Sequence, residues 1–422
     1  MSGSIISNNI KTAEDSAVTL SFIFLTFLKI GSLAFGGYMA LISVIENIVV
    51  KKHKLMSHEE MMDGISLANL LPGPMAVNVV AYTGYKIRGH LGAAVAATAV
   101  ILPSFFLILG LSYVYFNYGE VVSFKNIFQG FMPAVAAIVF SVAWRLGKKT
   151  ITGNIELSIA FAAMVILFFI PLQYKIYTPI ALIFTAGLLG YYLLNDKSKK
   201  TNKSKKKKTQ SISPQAIKQL ALLGALFIAL IALNFIPLPL EKNHVLYLTL
   251  TFASMSLMLF GGGYVFIPVI GSIVVLENNW LTSQEFTDGI ALGQVTPGPI
   301  LISATFIGYK VAGFFGALFS TIAIFGVPAL LMIVVSQWFG FIRDSSVTHS
   351  VMRGIHCAVI GMICVAAFII FKSAFIAWPV IDLSLSWPVI VIFIASLVGL
   401  IKFNLDVIWI IPPAGLMGYL FY

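Results

Sequence analysis

The sequence predicts an all-α polytopic membrane protein of two homologous halves, an inverted-topology repeat with broken, re-entrant helices. Three observations predict it. Of 422 residues, 59% are hydrophobic and only 10% charged, whereas soluble domains carry about 25% charged residues. Mean hydropathy is +0.95. The chain also repeats itself: aligning 35–74 with 260–299 without a gap gives 17 identities in 40 positions. These include Phe-Gly-Gly, a Glu, Asp-Gly and Pro-Gly-Pro in one register, which shared apolar composition alone does not produce. The third observation is the pair of breaks, Pro72-Gly73-Pro74 and Pro297-Gly298-Pro299, at matching places in the two halves.

Residues 1–16 are polar and mixed in charge, and no cleavable signal peptide is expected. Residues 17–50 are apolar except around Phe35-Gly36-Gly37. That run is too long for one perpendicular span, so we expect a spanning helix to about Phe35, a glycine-permitted break and a second piece. The basic loop Lys51-Lys52-His53-Lys54 follows. Ser57 with Glu60, and Thr282 with Glu285, fit the capping box that starts a helix. A helix from 58 to 71 runs only about 21 Å at about 1.5 Å per residue, against a hydrocarbon core of about 30 Å. Pro72 stops it, because proline has no amide donor and clashes with the preceding turn. Pro74 has φ already set for the first position of a new helix. Residues 58–85 and 283–309 therefore read as re-entrant hairpins.

Lys86 and Arg88 close the first hairpin, and apolar segments follow near 91–116, 122–145, 155–171 and 177–194. Arg145, Lys148 and Lys149 cap the second of these. Residues 196–208 hold eight Lys and one Asp, a net +7 within a chain total of +11. Between membrane segments such a run marks a cytoplasmic loop rather than a nucleic-acid site. The expected organisation is a first membrane repeat over 1–195 and a Lys-rich linker over 196–213. An extra segment near 215–235 and the second repeat complete 214–422.

The breaks are the candidate site. After each, the first amides of the new helix have no intrahelical acceptor: Met75, Ala76 and Val77, and Ile300, Leu301 and Ile302. With the helix dipole they suit an anion, and broken helices in corresponding positions point to a transporter site. The other reading is that the prolines only shape a packed turn. The candidate binding set comprises Pro72, Gly73, Pro74, Met75 and Ala76 with their counterparts Pro297, Gly298, Pro299, Ile300 and Leu301. Asn69, Gln294 and Thr296 join it as side-chain donors, or else as caps of the broken helix. Gly36, Gly37, Gly261 and Gly262 contribute through backbone amides or permit close approach. Lys29, in an apolar helix, neutralises a dianion or snorkels to the interface. Asp63 and Asp288, with Lys86 and Lys310, are candidates for coupling or gating, since ionisable groups at membrane depth are functional by default. Their alternative is structural, an acid near a helix start favoured by the dipole.

No catalytic constellation, phosphate loop or His/Cys ligand cluster is present, so neither an enzyme nor a cofactor or metal is expected. Cys357 and Cys364, seven apart in one apolar segment, read as packing residues.

Phe35-Gly36-Gly37, Asp63-Gly64, Pro72-Gly73-Pro74, Gly84 and Gly92 together resemble the signature of the chromate ion transporter family. Phe260-Gly261-Gly262, Asp288-Gly289, Pro297-Gly298-Pro299 and Gly308 repeat it, so the resemblance covers nearly the whole chain. Lys29 of Phe27-Leu-Lys-Ile-Gly31 is similar too, but its repeat position holds Ser254. The resemblance implies a long-chain secondary transporter that exports a tetrahedral oxyanion, chromate, across the cytoplasmic membrane of a prokaryote. Sulfate is nearly the same dianion and is the alternative substrate. A non-transporting scaffold whose lysine loop binds acidic lipid is the alternative of another class. Expected partners are the small inorganic oxyanion (chromate or sulfate), the lipid bilayer and a second copy in a homodimer. Basic clusters at 51–54, 86–88, 145–149 and 196–208 all fall on one face if the hairpin is re-entrant. In the second half Lys51–Lys54 becomes Leu276-Glu277-Asn278-Asn279, which with a cytoplasmic N-terminus predicts opposite orientation of the halves; an external N-terminus would make them parallel.

Overall fold

The computed structural model describes residues 18–34, 38–118, 122–171, 178–194, 244–260, 266–336, 346–376 and 387–421. The first 17 residues, Phe35–Gly37, the lysine linker, the extra segment and Gly261–Gly263 lie outside them. Every described element is helical. The first half contributes α1 (Leu20–Leu33), α2 (Tyr38–Ile45, continued as a π-helix over Glu46–Lys52) and α3 (His58–Leu70). After these come α4 (Met75–Tyr118), α5 (Val122–Thr150), α6 (Asn154–Phe169) and α7 (Thr178–Leu193). The second half repeats the order. It has α8 (Val245–Ser256), α9 (Phe266–Gly271, continued as a π-helix over Ser272–Glu277), α10 (Ser283–Val295) and α11 (Ser303–Ser336). The last are α12 (Ser346–Ile376), α13 (Trp387–Ile401) and α14 (Ile411–Phe421).

Both capping boxes are formed as the sequence predicts, Ser57 with Glu60 and Thr282 with Glu285. α3 and α10 are each 13 residues long, about 20 Å, and neither spans. α4 is two helices rather than one. Arg88 and Gly89 leave helical geometry, Gly89 at φ +61°, and the chain doubles back there. The backbones of Gly84 and Gly92 touch across the turn. The arm 75–87 returns along α3, with Gly64 against Tyr82, and the arm 90–118 then runs the other way. Ala312 and Gly313 repeat the turn in α11. The re-entrant hairpins are therefore present in both halves.

One expectation needs correction. α1 has 14 residues, too few for the bilayer core, and it is not a full span. His53, after the second piece, packs back on Phe22, with ring centroids 5.2 Å apart. Trp280 does the same to Tyr247 in the second half at 6.1 Å. Each repeat thus opens with two re-entrant hairpins. Glycines at 36 and 37 mark a break but give no direction for the piece that follows, so sequence alone does not show the return.

Equivalent helices of the two halves cross antiparallel. In α4 and α11, Phe105 meets Phe314, while Ala93 packs with Ala329 and Ile333. In α5 and α12, Gly147 lies beside Ile360, while Met132 packs with Ala374. Equivalent helices can run antiparallel only if the repeats are inverted, as expected. Helices are also exchanged: α5 packs backbone to backbone on α14 through Gly130 and Gly418, and α12 on α7 through Gly354 and Gly190. Small residues at such crossings are what lipid-embedded packing requires. Four described helices are long and apolar enough to cross a membrane.

Candidate functional site

The hairpin tips of the two halves meet. Gly73 N donates to Leu259 O at 2.7 Å, and Gly298 N to Ala34 O at 2.8 Å. The two bonds are equivalent under the repeat. Both glycines hold left-handed φ, +101° and +106°, which L side chains rarely adopt. A Cβ on Gly73 would overlap Pro328, and one on Gly298 would overlap Ser104. The prolines' exposed carbonyls are also bound: Asn78 Nδ2 donates to Pro72 O at 3.1 Å, and Ser104 Oγ donates to Pro297 O. Gly36, Gly37, Gly261 and Gly262 lie outside the described residues, adjoining the acceptors Ala34 and Leu259.

Beyond Pro74 the helix starts cleanly. Asn78 N donates to Pro74 O at 3.0 Å, leaving the amides of Met75, Ala76 and Val77 ahead of the first intrahelical bond. The second half differs. Its arm is one residue shorter between the break and Gly308-Tyr309-Lys310, and it begins with a 3₁₀ turn over Ile300–Ile302. The larger rise of a 3₁₀ turn covers the missing length. Ile302 N there bonds Pro299 O at 3.0 Å, so only Ile300 and Leu301 keep the expected role.

Side chains separate further. Asn69 Nδ2 bonds Ile65 O at 2.8 Å and keeps its second N–H. Thr296 Oγ1 returns to Gly293 O on its own helix. Gln294 is buried, and its Nε2 has no hydrogen-bond partner among the described residues. Lys29 is not brought to the break. It is exposed, on the α1 stripe that carries Phe22, Leu25 and Leu33. In an all-apolar helix the sequence does not say which face turns inward.

The acids also differ between halves. Asp63 is partly exposed on α3, whereas Asp288 is 1% exposed. Tyr115 Oη, from the opposite half, donates to Asp288 Oδ2 at 2.7 Å, and Oδ1 is unpartnered among the described residues. Lys310 pairs with Glu285 at 2.9 Å and lies over Phe116, not with Asp288. Lys86 lies over the Tyr82 ring.

Beside the first break is a cavity of about 90 Å³ lined by Asn69, Met75, Lys149, Thr150, His356 and three aliphatic side chains. A water needs roughly 10–15 Å³ of such space, so several waters or one small polyatomic ion fit. Met75 is buried and Lys149 exposed, so the cavity leads from the break to the basic face. His356 Nε2 is sealed and without a partner among the described residues. Next to it Arg353 of α12 binds Glu156 and Thr152 of the first half. A larger cavity, about 510 Å³, is lined by Phe140, Phe161, Phe168 and other apolar side chains and holds no cation. Lys149, Thr150 and His356 were not among the sequence candidates. Lys149 reads as a cap charge of α5, and His356 as one of six scattered histidines.

A family model described as chromate transporter matches residues 22–191 and 246–419. The chain belongs to that family. An uncharacterized transporter of Methanocaldococcus jannaschii is 29% identical over 401 residues, 94% of this chain and 93% of that protein. A chromate transport protein of Cupriavidus metallidurans is 28% identical over 405 residues, 92% and 94% of the two chains. The uncharacterized transporter YwrB of Bacillus subtilis is 34% identical over 193 residues, 44% of this chain but 93% of its own length. No solved structure matches.

Proposed function

We propose that the protein is a secondary transporter of a tetrahedral oxyanion that exports chromate across the cytoplasmic membrane of a prokaryote. The observation that carries this reading is the meeting of the two breaks in an inverted repeat. There the N-terminus of the arm 75–87 borders a cavity that also takes in Asn69, Lys149, Thr150 and His356 and is open to the basic face. Inverted repeats with broken helices at mid-depth supply alternating access around one site. The curated chromate transport proteins that share its length support the substrate class.

The basic face is read as cytoplasmic by the positive-inside rule. Arg88 Nη1 bonds Val18 O at 2.8 Å, so the chain enters its first hairpin from that face. Loading from a negative interior favours export, since each charge gains about 2.3 kcal/mol per 100 mV and a dianion about twice that. The buried Asp288–Tyr115 pair joins the halves, and coupling to protons is assigned to Asp288 rather than to the partly exposed Asp63, with Lys86 and Lys310 at the hairpin mouths. Everted vesicles test the whole reading: labelled chromate accumulates in vesicles carrying the protein and not in vesicles lacking it. Equal uptake in both refutes transport, and uptake of sulfate but not chromate reassigns the substrate.

A further inference from the structure

Inverted repeats present two related breaks, and the question is whether both bind the anion. Resting on the transport reading above, we infer that one dianion binds per chain. It sits in the cavity at the first break, held by Lys149 and His356 with Asn69, Thr150 and the amides that open the arm 75–87. The second break, which lacks counterparts of Lys149 and His356, carries no anion site.

The repeat makes the comparison direct. Gly130 and Gly354 occupy equivalent packing positions on α5 and α12, which fixes the register there at 224 (354 − 130). Lys149 then corresponds to Ser373, and His356 to Met132. Asn69 and Met75 correspond to Gln294 and Ile300 at 225 (297 − 72). Met132, which stands in place of His356, is 1% exposed, so the mirror position holds a buried apolar side chain. Ser373 lines a different cavity of about 180 Å³, beside α9, α10 and α12, that contains no charged residue. A dianion leaving water needs a cation and donors, and among the described residues the first break brings both to one cavity. The two side chains that distinguish it come from different halves: Lys149 ends α5 and His356 belongs to α12. Their approach therefore depends on how the halves are docked. The Arg353–Glu156–Thr152 cluster fastens these same two segments beside the cavity. A relative movement of the halves disassembles this site without exposing an equivalent one at the other face. The anion is then released rather than handed to a second site.

The test is equilibrium binding of radiolabelled sulfate and chromate to the purified full-length protein, with transport measured in proteoliposomes. One anion per chain is expected. Lys149→Gln and His356→Gln each weaken binding about tenfold or more, the loss of one hydrogen bond to a charged group. Lys149→Arg retains binding, and Ser373→Ala and Met132→Leu leave it unchanged. Lys149 is exposed, so its variants are expected to fold, and gel filtration checks this. Two anions per chain, or wild-type affinity in both Lys149→Gln and His356→Gln, overturns the inference while leaving transport intact. Failure of the wild-type protein to move either anion overturns the transport reading instead.

Discussion

Gly73 is the position where the geometry makes its sharpest demand. Alanine there meets two costs. The backbone sits at φ +101°, a left-handed conformation worth about 1–2 kcal/mol of strain for an L side chain. The new Cβ would also lie well inside 3.0 Å of the Pro328 ring, and overpacking of this kind costs about 1–3 kcal/mol. Together Gly73→Ala should destabilise by about 2–5 kcal/mol, or push the tip off Pro328 and lengthen the Gly73–Leu259 bond. Two other glycines separate the contributions. Gly89 has φ +61° but nothing within 4 Å of a new Cβ, so Gly89→Ala carries only the strain. Gly110 has neither problem, and alanine in a helix interior is neutral or stabilising by up to about 1 kcal/mol. Thermal midpoints in detergent should fall in the order Gly110→Ala, Gly89→Ala, Gly73→Ala, and transport should be lost only in the last while membrane insertion persists. A Gly73→Ala protein that melts with Gly89→Ala and transports normally refutes the tip-to-tip contact.

Other outcomes follow from the same packing. Lys51→Cys and Leu276→Cys, equivalent in the repeat, should be labelled from opposite sides of the membrane by an impermeant thiol reagent in a Cys357→Ser/Cys364→Ser background; labelling from one side refutes inversion. Tyr115→Phe and Asp288→Asn should each remove any pH dependence of transport without abolishing anion binding, and a retained wild-type pH profile in both leaves the pair a structural one. Glu156→Gln should lower stability by about 1–3 kcal/mol, because it weakens a buried partner of Arg353, and the exchange Glu156→Arg/Arg353→Glu should recover part of it in denaturation of the purified protein. Residues 1–195 and 214–422, made as separate chains in one cell, should assemble and transport, whereas either alone should not, because α5 and α12 need helices from the opposite half.

Much of this was legible in the sequence because the signals were local. The capping boxes, the proline stops and the glycine at each tip act within a few residues, and all appear where expected. The segments read near 91–116, 122–145, 155–171 and 177–194 lie within a few residues of the observed helices. Inversion was legible from the placement of lysines, which follows membrane insertion rather than packing. What stayed hidden depends on contacts between distant residues. The return of α2 along α1 rests on Phe22 meeting His53, and neither residue marks a turn. Lys29 shows its exposed face only once α1 has docked. Lys149 and His356 come together because α5 and α12 cross, and Tyr115 reaches Asp288 because α4 packs against the second half. The 3₁₀ start of the second arm was detectable as a change of repeat offset from 225 to 224 (297 − 72 against 308 − 84). Its structural meaning needed the backbone.

An oxyanion that passes through the first break moves under the membrane potential. The most direct measurement is radiolabelled chromate and sulfate flux in proteoliposomes containing the full chain, with a potassium diffusion potential of either sign. Anion should leave the negative compartment, flux should reverse with the potential, and Gly73→Ala should abolish it. Flux indifferent to the potential, or undiminished in Gly73→Ala, contradicts such passage.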